Sequence, residues 1–304
     1  MAAGCGADGA AHGRAGAVHR RLCAPGCAKR GLVKRGLVKS RLPFVVLGVF
    51  FLVLYAPIAA VVLFSFNAGK SLSAFSGFSL RWYREFFSDG ALTGSVATSV
   101  QVAAVAMAGS VVLGTAMAVG ASRVRGRFGA FAGFVTLIPL LTPEIVTGVA
   151  SLLLFKGLGI TPSLLTLILA EITFSVSYVA VILRARLAAL NPEVEEAAMD
   201  LGATRWQALR LVTLPALAPV VLAAAILVFA LVFDDFVLAA FTSGTDDQPL
   251  PVRIYSAMRF GIRPSINAVG TVMLAGSAVL IALALALPRL FGRRGTGLDL
   301  LSGE

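Results

Sequence analysis

The stretch Asn191–Pro215, NPEVEEAAMDLGATRWQALRLVTLP, is rich in charged side chains, although it lies in a chain of 304 residues that is 58% hydrophobic. Asn191 is a favourable helix N-cap, and Pro192 suits the first helical position. Gly202 is a natural helix stop, and Thr204, followed by a glutamine three residues later, fits a capping box. We therefore predict two short helices with a bend at Gly202, the second leading into an apolar segment.

Long apolar runs surround this stretch, and only 13% of the chain is charged, against about 25% in soluble domains. Each run is long enough to cross a hydrocarbon core of about 30 Å at about 1.5 Å per residue. The six runs are Phe44–Phe66, Gly94–Ala121, Ala130–Phe155, Ser163–Leu183, Leu214–Phe241 and Ile266–Pro288. We predict an all-α integral membrane protein with a six-helix domain over residues 42–291. The flanking segments are predicted to be a disordered basic tail over residues 1–41 and a second tail over residues 292–304.

The basic residues indicate how the chain is oriented. Of the 26 lysines and arginines, 19 lie in residues 1–43, 122–129, 184–213 and 289–304, and seven lie in the alternate segments. Because basic segments stay in the cytoplasm, we expect both termini and the 191–215 stretch there, in a multi-pass membrane protein. The net charge of +11 is thus explained by topology and contact with membrane lipid, and we expect no nucleic acid partner.

The apolar runs contain four ionisable residues, and all four are acidic: Glu144, Glu171, Asp234 and Asp235. A carboxylate inside a bilayer is costly, so it normally faces a bundle interior or a water-filled path. Two prolines just before Glu144 invite a kink that would line such a cavity. On a continuous helix the two aspartates point about 100° apart, so one of them would face the path. Acids without a base suit a cationic solute; the alternative is that each acid is protonated or bonded to a neighbouring helix.

Two further segments limit the possible functions. Gly69-Lys70-Ser71 resembles the end of a phosphate-binding loop, but Phe64 occupies the position of the earlier glycine. We therefore expect no nucleotide cofactor on this chain, and any ATP must bind another polypeptide. We also expect no catalytic residue and no metal site, since the three cysteines and two histidines all lie in the first 27 residues without a familiar zinc spacing. Ser79–Phe87 is expected to form a short helix on the outer face, with its aromatic side chains as anchors at the headgroups or as contacts for an external partner.

Within the 191–215 stretch, Glu196-Ala197-Ala198 is followed by Gly202, then by Val212 and by Leu214-Pro215. This spacing resembles the EAA loop of bacterial ABC importer permeases, in which isoleucine is usual at the position of Val212. In that family the loop forms a coupling helix that docks in a groove of the ATPase subunit. The resemblance assigns ATPase coupling to Glu196, Ala197, Ala198, Asp200, Gly202, Leu214 and Pro215.

Over most of residues 41–290 the chain is similar to the spermidine/putrescine permeases of the PotC type, in stretches such as Phe64–Asn67, Pro143–Val146 and Asp234–Val237. The resemblance implies the type I ABC importer permease fold, in the bacterial inner membrane, with Mg-ATP held by a separate ATPase dimer. It also implies a sister permease subunit and an extracytoplasmic solute-binding protein that delivers a polyamine or related organic cation.

We expect the four acids to line the substrate path, although Glu171 stands where the family pattern suggests a neutral residue or histidine. Other solutes of such importers, namely iron(III), thiamine and aminophosphonates, remain open at this point. So do a cation-coupled secondary carrier and a membrane scaffold without transport activity.

Overall fold

The structure is a computed structural model, and it describes residues 42–69, 74–124, 126–245, 247–259 and 265–292. The predicted tail over residues 1–41 lies outside the described residues, as does the C-terminal tail from residue 293 onward. The contacts divide the chain into two units, Met1–Pro57 and Ile58–Glu304. All elements discussed below, apart from the first part of helix α1, belong to the second unit.

The described residues are predominantly helical. The helices are α1 (Leu42–Ser65), α2 (Arg81–Ser88), α3 (Gly90–Arg123), α4 (Arg127–Leu141), α5 (Glu144–Gly157), α6 (Leu164–Ala189), α7 (Pro192–Asp200), α8 (Arg205–Ala208), α9 (Leu214–Asp234), α10 (Val237–Thr242), α11 (Leu250–Arg259) and α12 (Ser265–Gly292). A π-helical segment, Leu209–Thr213, joins α8 to α9.

Five helical stretches of the described chain are long and apolar enough to cross a membrane, and the number rises to six if a bent pair of helices forms one span. The five are Pro43–Ser65, Gly90–Arg123, Leu164–Ala189, Arg205–Asp234 and Ser265–Ala286. They correspond to five of the six predicted apolar runs, so the all-α membrane fold is confirmed.

The remaining run, Ala130–Phe155, bends at its second proline, and the bend is sharp enough to divide the run into two helices. Its two halves, α4 and α5, meet at an angle of 102°. The break falls at Thr142 and Pro143, because proline disfavours helical backbone in the residue before it and supplies no N–H itself. With 15 and 14 residues, neither half alone covers a core of about 30 Å at about 1.5 Å per residue.

Helices α3, α6 and α9 form the packed centre of the second unit. Their main cluster contains Val102, Ala103, Ala106, Ala118, Leu167, Val179, Leu183, Ala224, Val228 and Val232. Small residues let α3 and α6 approach closely, since a Cβ added at Gly114 would lie 2.6 Å from Cβ of Val179. Such close packing of small residues is the usual source of helix association in lipid, where the hydrophobic effect between helices is weak.

The fifth apolar run, predicted as Leu214–Phe241 without interruption, also breaks. Helix α9 ends at Asp234, and Asp235 adopts an extended conformation with φ −69° and ψ 122°. Its Oδ1 accepts hydrogen bonds from the backbone N–H groups of Val237 at 2.7 Å and Leu238 at 3.4 Å. Asp235 therefore ends one helix and caps the next, α10, because its short acidic side chain satisfies N–H groups that a helix start leaves free.

The short helix expected at Ser79–Phe87 is present as α2 (Arg81–Ser88). Its aromatic side chains do not all serve as anchors, however, because Trp82 and Phe86 are buried. The indole Nε1 of Trp82 donates to the carbonyl of Asn67 at 2.7 Å. Burying two large aromatic groups and satisfying the indole N–H holds this segment against the protein.

Hydrogen bonds and an ion pair near the helix ends show which of these ends lie together. At one end, Thr166 Oγ1 donates to the carbonyl of Thr242 at 2.8 Å, and the backbone N–H of Leu250 donates to Ser99 Oγ at 2.8 Å. At the other end, Arg123, the last residue of α3, forms an ion pair with Glu195 of α7. The loops thus alternate between two ends of the helices, in the order expected from the distribution of basic residues.

Candidate functional site

The loop between α6 and α9 (residues 191–215, called the 191–215 loop below) begins as its sequence predicts. Asn191 is the N-cap of α7, and its Oδ1 accepts a hydrogen bond from the backbone N–H of Glu193 at 3.1 Å. Pro192 occupies the first helical position, where its missing N–H has no cost. Glutamates in the first turn are favoured by the positive end of the helix dipole.

Gly202 ends α7 with φ +94°. Its backbone N–H donates to the carbonyl of Met199 at 2.9 Å, and that of Ala203 donates to the carbonyl of Ala198 at 3.1 Å. This pair of bonds is a Schellman motif, which requires a left-handed residue that glycine adopts without strain. The predicted stop at Gly202 is confirmed, and a Cβ added there would meet no atom within 4 Å.

The second predicted helix is also present but short. Thr204 and Gln207 form the capping box, with the backbone N–H of Thr204 donating to Gln207 Oε1 at 2.8 Å. Helix α8 then passes into the π-helical segment, and α9 begins at Leu214 and Pro215. A π-turn carries one residue more than the α-helical repeat and often marks a functional position. The sequence contains no local signal for it.

Two large apolar side chains are exposed on the outward surface of this loop, which is otherwise polar. Helix α7 has no buried residue, and Glu196 and Ala197 are exposed. Leu201 is 90% exposed and Trp206 is 68% exposed. Large apolar side chains in a polar loop are typical anchors of a protein interface, tryptophan above all. Sequence reasoning did not select Leu201 or Trp206 as site residues, although their size among polar neighbours was an available signal.

A cavity of about 1050 Å³ lies between the 191–215 loop and the ends of α3 and α6. Its charged lining consists of Arg123, Arg184, Glu195, Glu196 and Arg205. Helix α7 is therefore held away from the membrane helices over part of its length, rather than packed flat against them.

Three of the four membrane acids lie together at the α9–α10 break. Glu171, on α6, is buried with 2% of its surface exposed, and Glu144 is the first residue of α5. The carboxyl group of Asp235 interacts with those of both glutamates, and the two glutamates also interact with each other. Asp235 Oδ2 is buried and receives no hydrogen bond from the described residues. We call Glu144, Glu171 and Asp235 the carboxylate cluster.

Asp234 lies apart from this cluster. Its Oδ2 accepts a hydrogen bond from Ser277 Oγ on α12, and the residue is exposed. The structure therefore separates two adjacent aspartates that the sequence grouped together. The separation follows from the helix break, because Asp234 keeps the helical direction while Asp235 turns into the α9–α10 junction.

The carboxylate cluster has no basic partner in the part of the chain that the structure describes, where the one ion pair joins Arg123 and Glu195. In the same residues, no group of acidic, histidine or cysteine side chains has an arrangement that would hold a metal ion. Three acids in weakly polar surroundings repel one another, and a cationic group placed among them lowers their electrostatic energy. The arrangement is suited to attracting an ammonium group.

Solved structures with similar folds are ABC transporter chains. The chain aligns with a TM-score of 0.67 and 14% identity to a bacterial ABC transporter involved in the import of the acidic polysaccharide alginate, covering 86% of this chain and 98% of that one. With the methionine ABC transporter MetNI in an inward-facing conformation the TM-score is 0.56 at 17% identity, covering 67% of this chain and 95% of the other. At these identities the likeness establishes the fold.

Sequence relatives are more similar. The chain is 40% identical over 235 residues to the putrescine transport system permease protein PotI of Escherichia coli (strain K12), covering 74% of this chain and 82% of the relative. It is 34% identical over 236 residues to the spermidine/putrescine transport system permease protein PotC of Haemophilus influenzae, covering 78% and 92%. A family model described as "binding-protein-dependent transport system inner membrane component" matches residues 110–295. The chain belongs to this family of multi-pass membrane transport subunits.

Proposed function

We propose that this chain is the membrane-spanning permease subunit of an ATP-driven importer for polyamines, such as spermidine and putrescine, or for a related organic cation. The observation that carries the proposal is the carboxylate cluster, three acids without a basic partner among the described residues, inside a permease whose named relatives transport polyamines. The chain performs no bond chemistry, and ATP is bound and hydrolysed on a separate ATPase.

The cluster supports a cationic solute, whereas the fold alone favours no solute class. One structural neighbour is involved in the import of alginate, an acidic polysaccharide, so this architecture is compatible with solutes of opposite charge. Glu144, Glu171 and Asp235 bring acidic side chains together beside the breaks in two spans, α4–α5 and α9–α10, where irregular backbone is tolerated if it lines a polar cavity. We assign these three residues to the substrate path, and we assign Asp234 a lesser, neighbouring role.

The 191–215 loop is proposed to couple transport to ATP. Glu196, Ala197 and Asp200 are exposed on α7, Leu201 and Trp206 present apolar surface beside them, and Gly202 fixes the end of the helix. An amphipathic helix that lies in a groove is a common mode of recognition between proteins. The partner is an ATPase subunit, two of which hold Mg-ATP. Ala198 on α7 and Leu214 and Pro215 at the start of α9 belong to the same coupling loop by the resemblance.

We further propose a sister permease subunit across the path and a solute-binding protein at the outer face. The 191–215 loop and both termini then lie in the cytoplasm, as the distribution of basic residues favours. Closure of the ATPase dimer moves α7, and the subunit exchanges between states whose populations its partners change.

The test is radiolabelled putrescine uptake by vesicles that contain the whole transporter. Because Asp235 lies in the cluster and Asp234 does not, Asp235→Asn is expected to reduce uptake about tenfold or more, equivalent to about 1.4 kcal/mol, and Asp234→Asn to reduce it less. Asp247→Asn, on an exposed loop residue, is the matched control. Normal uptake by the double variant at Asp234 and Asp235 would refute cation binding, and uptake that persists without ATP would favour a secondary carrier.

A further inference from the structure

Glu195 is the point at which α7 is joined to the membrane helices. Its Oε1 accepts a bond from Arg123 Nη2 at 2.6 Å, and its Oε2 accepts a bond from Thr213 Oγ1 at 2.7 Å. Each carboxylate oxygen thus serves a different element, since Arg123 is the last residue of α3 and Thr213 ends the π-helical segment that leads into α9.

Helix α7 has few other attachments in the described chain. None of its residues is buried, and the other side-chain hydrogen bonds recorded at this helix, between Asn191 and Glu193, stay within its first turn. Its packing neighbours are the π-helical segment and α8. The cavity behind α7 separates it from the ends of α3 and α6, so the carboxylate of Glu195 bridges a gap that apolar contacts do not fill.

We infer that Glu195 is a positioning residue for transport: with Arg123 and Thr213 it passes the displacement of α7 to α3 and α9. This inference rests on the proposed docking of α7 on the ATPase. Helix α9 leads from Thr213 to Asp235, so a shift at its beginning is transmitted to the carboxylate cluster at its end. The EAA-type resemblance assigned coupling to Glu196 and left its neighbour, Glu195, without a role.

The exposure of the Arg123–Glu195 ion pair indicates that it contributes little to the stability of the fold. The side chains of Arg123 and Glu195 are 36% and 27% exposed, and partly exposed ion pairs add little to folding because water screens them. Thr213 is buried, with 6% of its surface exposed, so its hydroxyl keeps one oxygen of Glu195 in a fixed position. A residue that matters little for stability but joins three elements is suited to transmitting movement.

The experiment uses the complete transporter, with its ATPase, in proteoliposomes, and measures putrescine transported per ATP hydrolysed. Glu195→Gln and Arg123→Gln are each expected to retain the ATPase and its hydrolysis, while the ratio falls about fivefold or more, the usual size of a coupling between sites. Thr213→Val should lower the ratio and Thr213→Ser should preserve it. Glu193→Gln, on the same helix but bonded only to Asn191, is the matched control.

The double variant at Glu195 and Arg123 separates a shared contact from two independent effects. It should be no worse than either single variant, because both changes remove the same bond, whereas losses that multiply would refute the inference. The exchange Arg123→Glu with Glu195→Arg should recover transport relative to either reversal alone, and failure to recover would count against the ion pair.

Other outcomes distinguish the positioning role of Glu195 from the proposed docking of α7 on the ATPase. An unchanged ratio in Glu195→Gln, with the ATPase retained, would overturn the positioning role and leave docking intact. A wild-type subunit that retains no ATPase would refute docking itself and the positioning role with it. A smaller yield of complex with an unchanged ratio would mark Glu195 as a structural residue and would also overturn the inference.

Discussion

At the scale of single residues, the two adjacent aspartates show how one backbone turn divides similar side chains between different surroundings. Asp234 remains helical and pairs with Ser277 of α12. Asp235 uses one oxygen to cap α10 and keeps the other buried beside Glu144 and Glu171. Because backbone N–H groups hold the side chain of Asp235 in place, its second oxygen has a fixed orientation. A fixed oxygen favours binding of a cation at one position over non-specific electrostatic attraction.

Gly202 yields a prediction at the same scale. Gly202→Asp places a side chain at φ +94°, at a strain of about 1 kcal/mol or slightly more, but its Cβ would have no atom of the described residues within 4 Å. We expect a normal amount of inserted subunit and loss of ATP-coupled uptake, because the new side chain projects into the proposed ATPase interface. The measurements are membrane yield by immunoblot and uptake.

The control for Gly202→Asp is Gly159→Asp. Gly159 has a similar backbone, with φ +74°, and equally free space around an added Cβ, but it follows α5 at the opposite end of the helices. Equal loss of uptake in both variants would attribute the effect to backbone strain, and normal uptake by Gly202→Asp would contradict the coupling role.

At the scale of elements, the contact between α3 and α6 is set by glycine. In Gly114→Ala the added methyl group would lie 2.6 Å from Val179 Cβ and 3.0 Å from the carbonyl of Val176, so the helices must separate. We expect a loss of about 1–3 kcal/mol, as for other overpacked cores, seen as a lower Tm in detergent. Gly120→Ala, on the same helix with open space around it, should leave Tm unchanged or raise it through better helix propensity.

Equal Tm changes in the two alanine variants would show that helix propensity outweighs packing at this contact. A Tm for Gly114→Ala at or above that of the wild type would contradict the close approach of α3 and α6.

The elements also show what local sequence determines. The caps at Asn191 and Thr204 and the stop at Gly202 were predictable, because each depends on residues within one helical turn. A kink at the prolines before Glu144 was also expected, but the size of the bend at Pro143, 102°, the break at Asp235 and the π-helical segment were not. Proline or aspartate in an apolar run permits a break, but whether the chain bends depends on what α5 and α10 pack against.

The same distinction applies to the candidate site. The types of the four acids and their placement in apolar runs indicated a path for cations. That Glu171 and Asp235 lie together while Asp234 does not depends on three helices meeting, which hydrophobic periodicity does not encode. The aromatic residues of α2 were predicted as anchors for the same reason, whereas Trp82 is buried and bonded to Asn67, which is distant from it in sequence.

At the scale of the whole molecule, the alternation of loops makes a prediction about orientation. In a variant with serine at its three cysteines, Lys156→Cys should react with a membrane-impermeant maleimide in right-side-out vesicles, and Arg127→Cys should react only after lysis. Both positions are exposed, so reactivity reports the side of the membrane. The reverse pattern would place the 191–215 loop outside the cell and remove it from any ATPase.

The bend between α4 and α5 has a consequence for the life of the protein in the cell. Backbone groups that a helix break frees at membrane depth must be covered by protein or water, and Leu141, beside the bend, is 75% exposed in the part of the chain that the structure describes. If the proposed sister permease covers the bend, it stabilises the folded form by mass action. The abundance of this subunit is then expected to follow that of the proposed sister, with unpaired copies removed by proteolysis and the two held in stoichiometric balance.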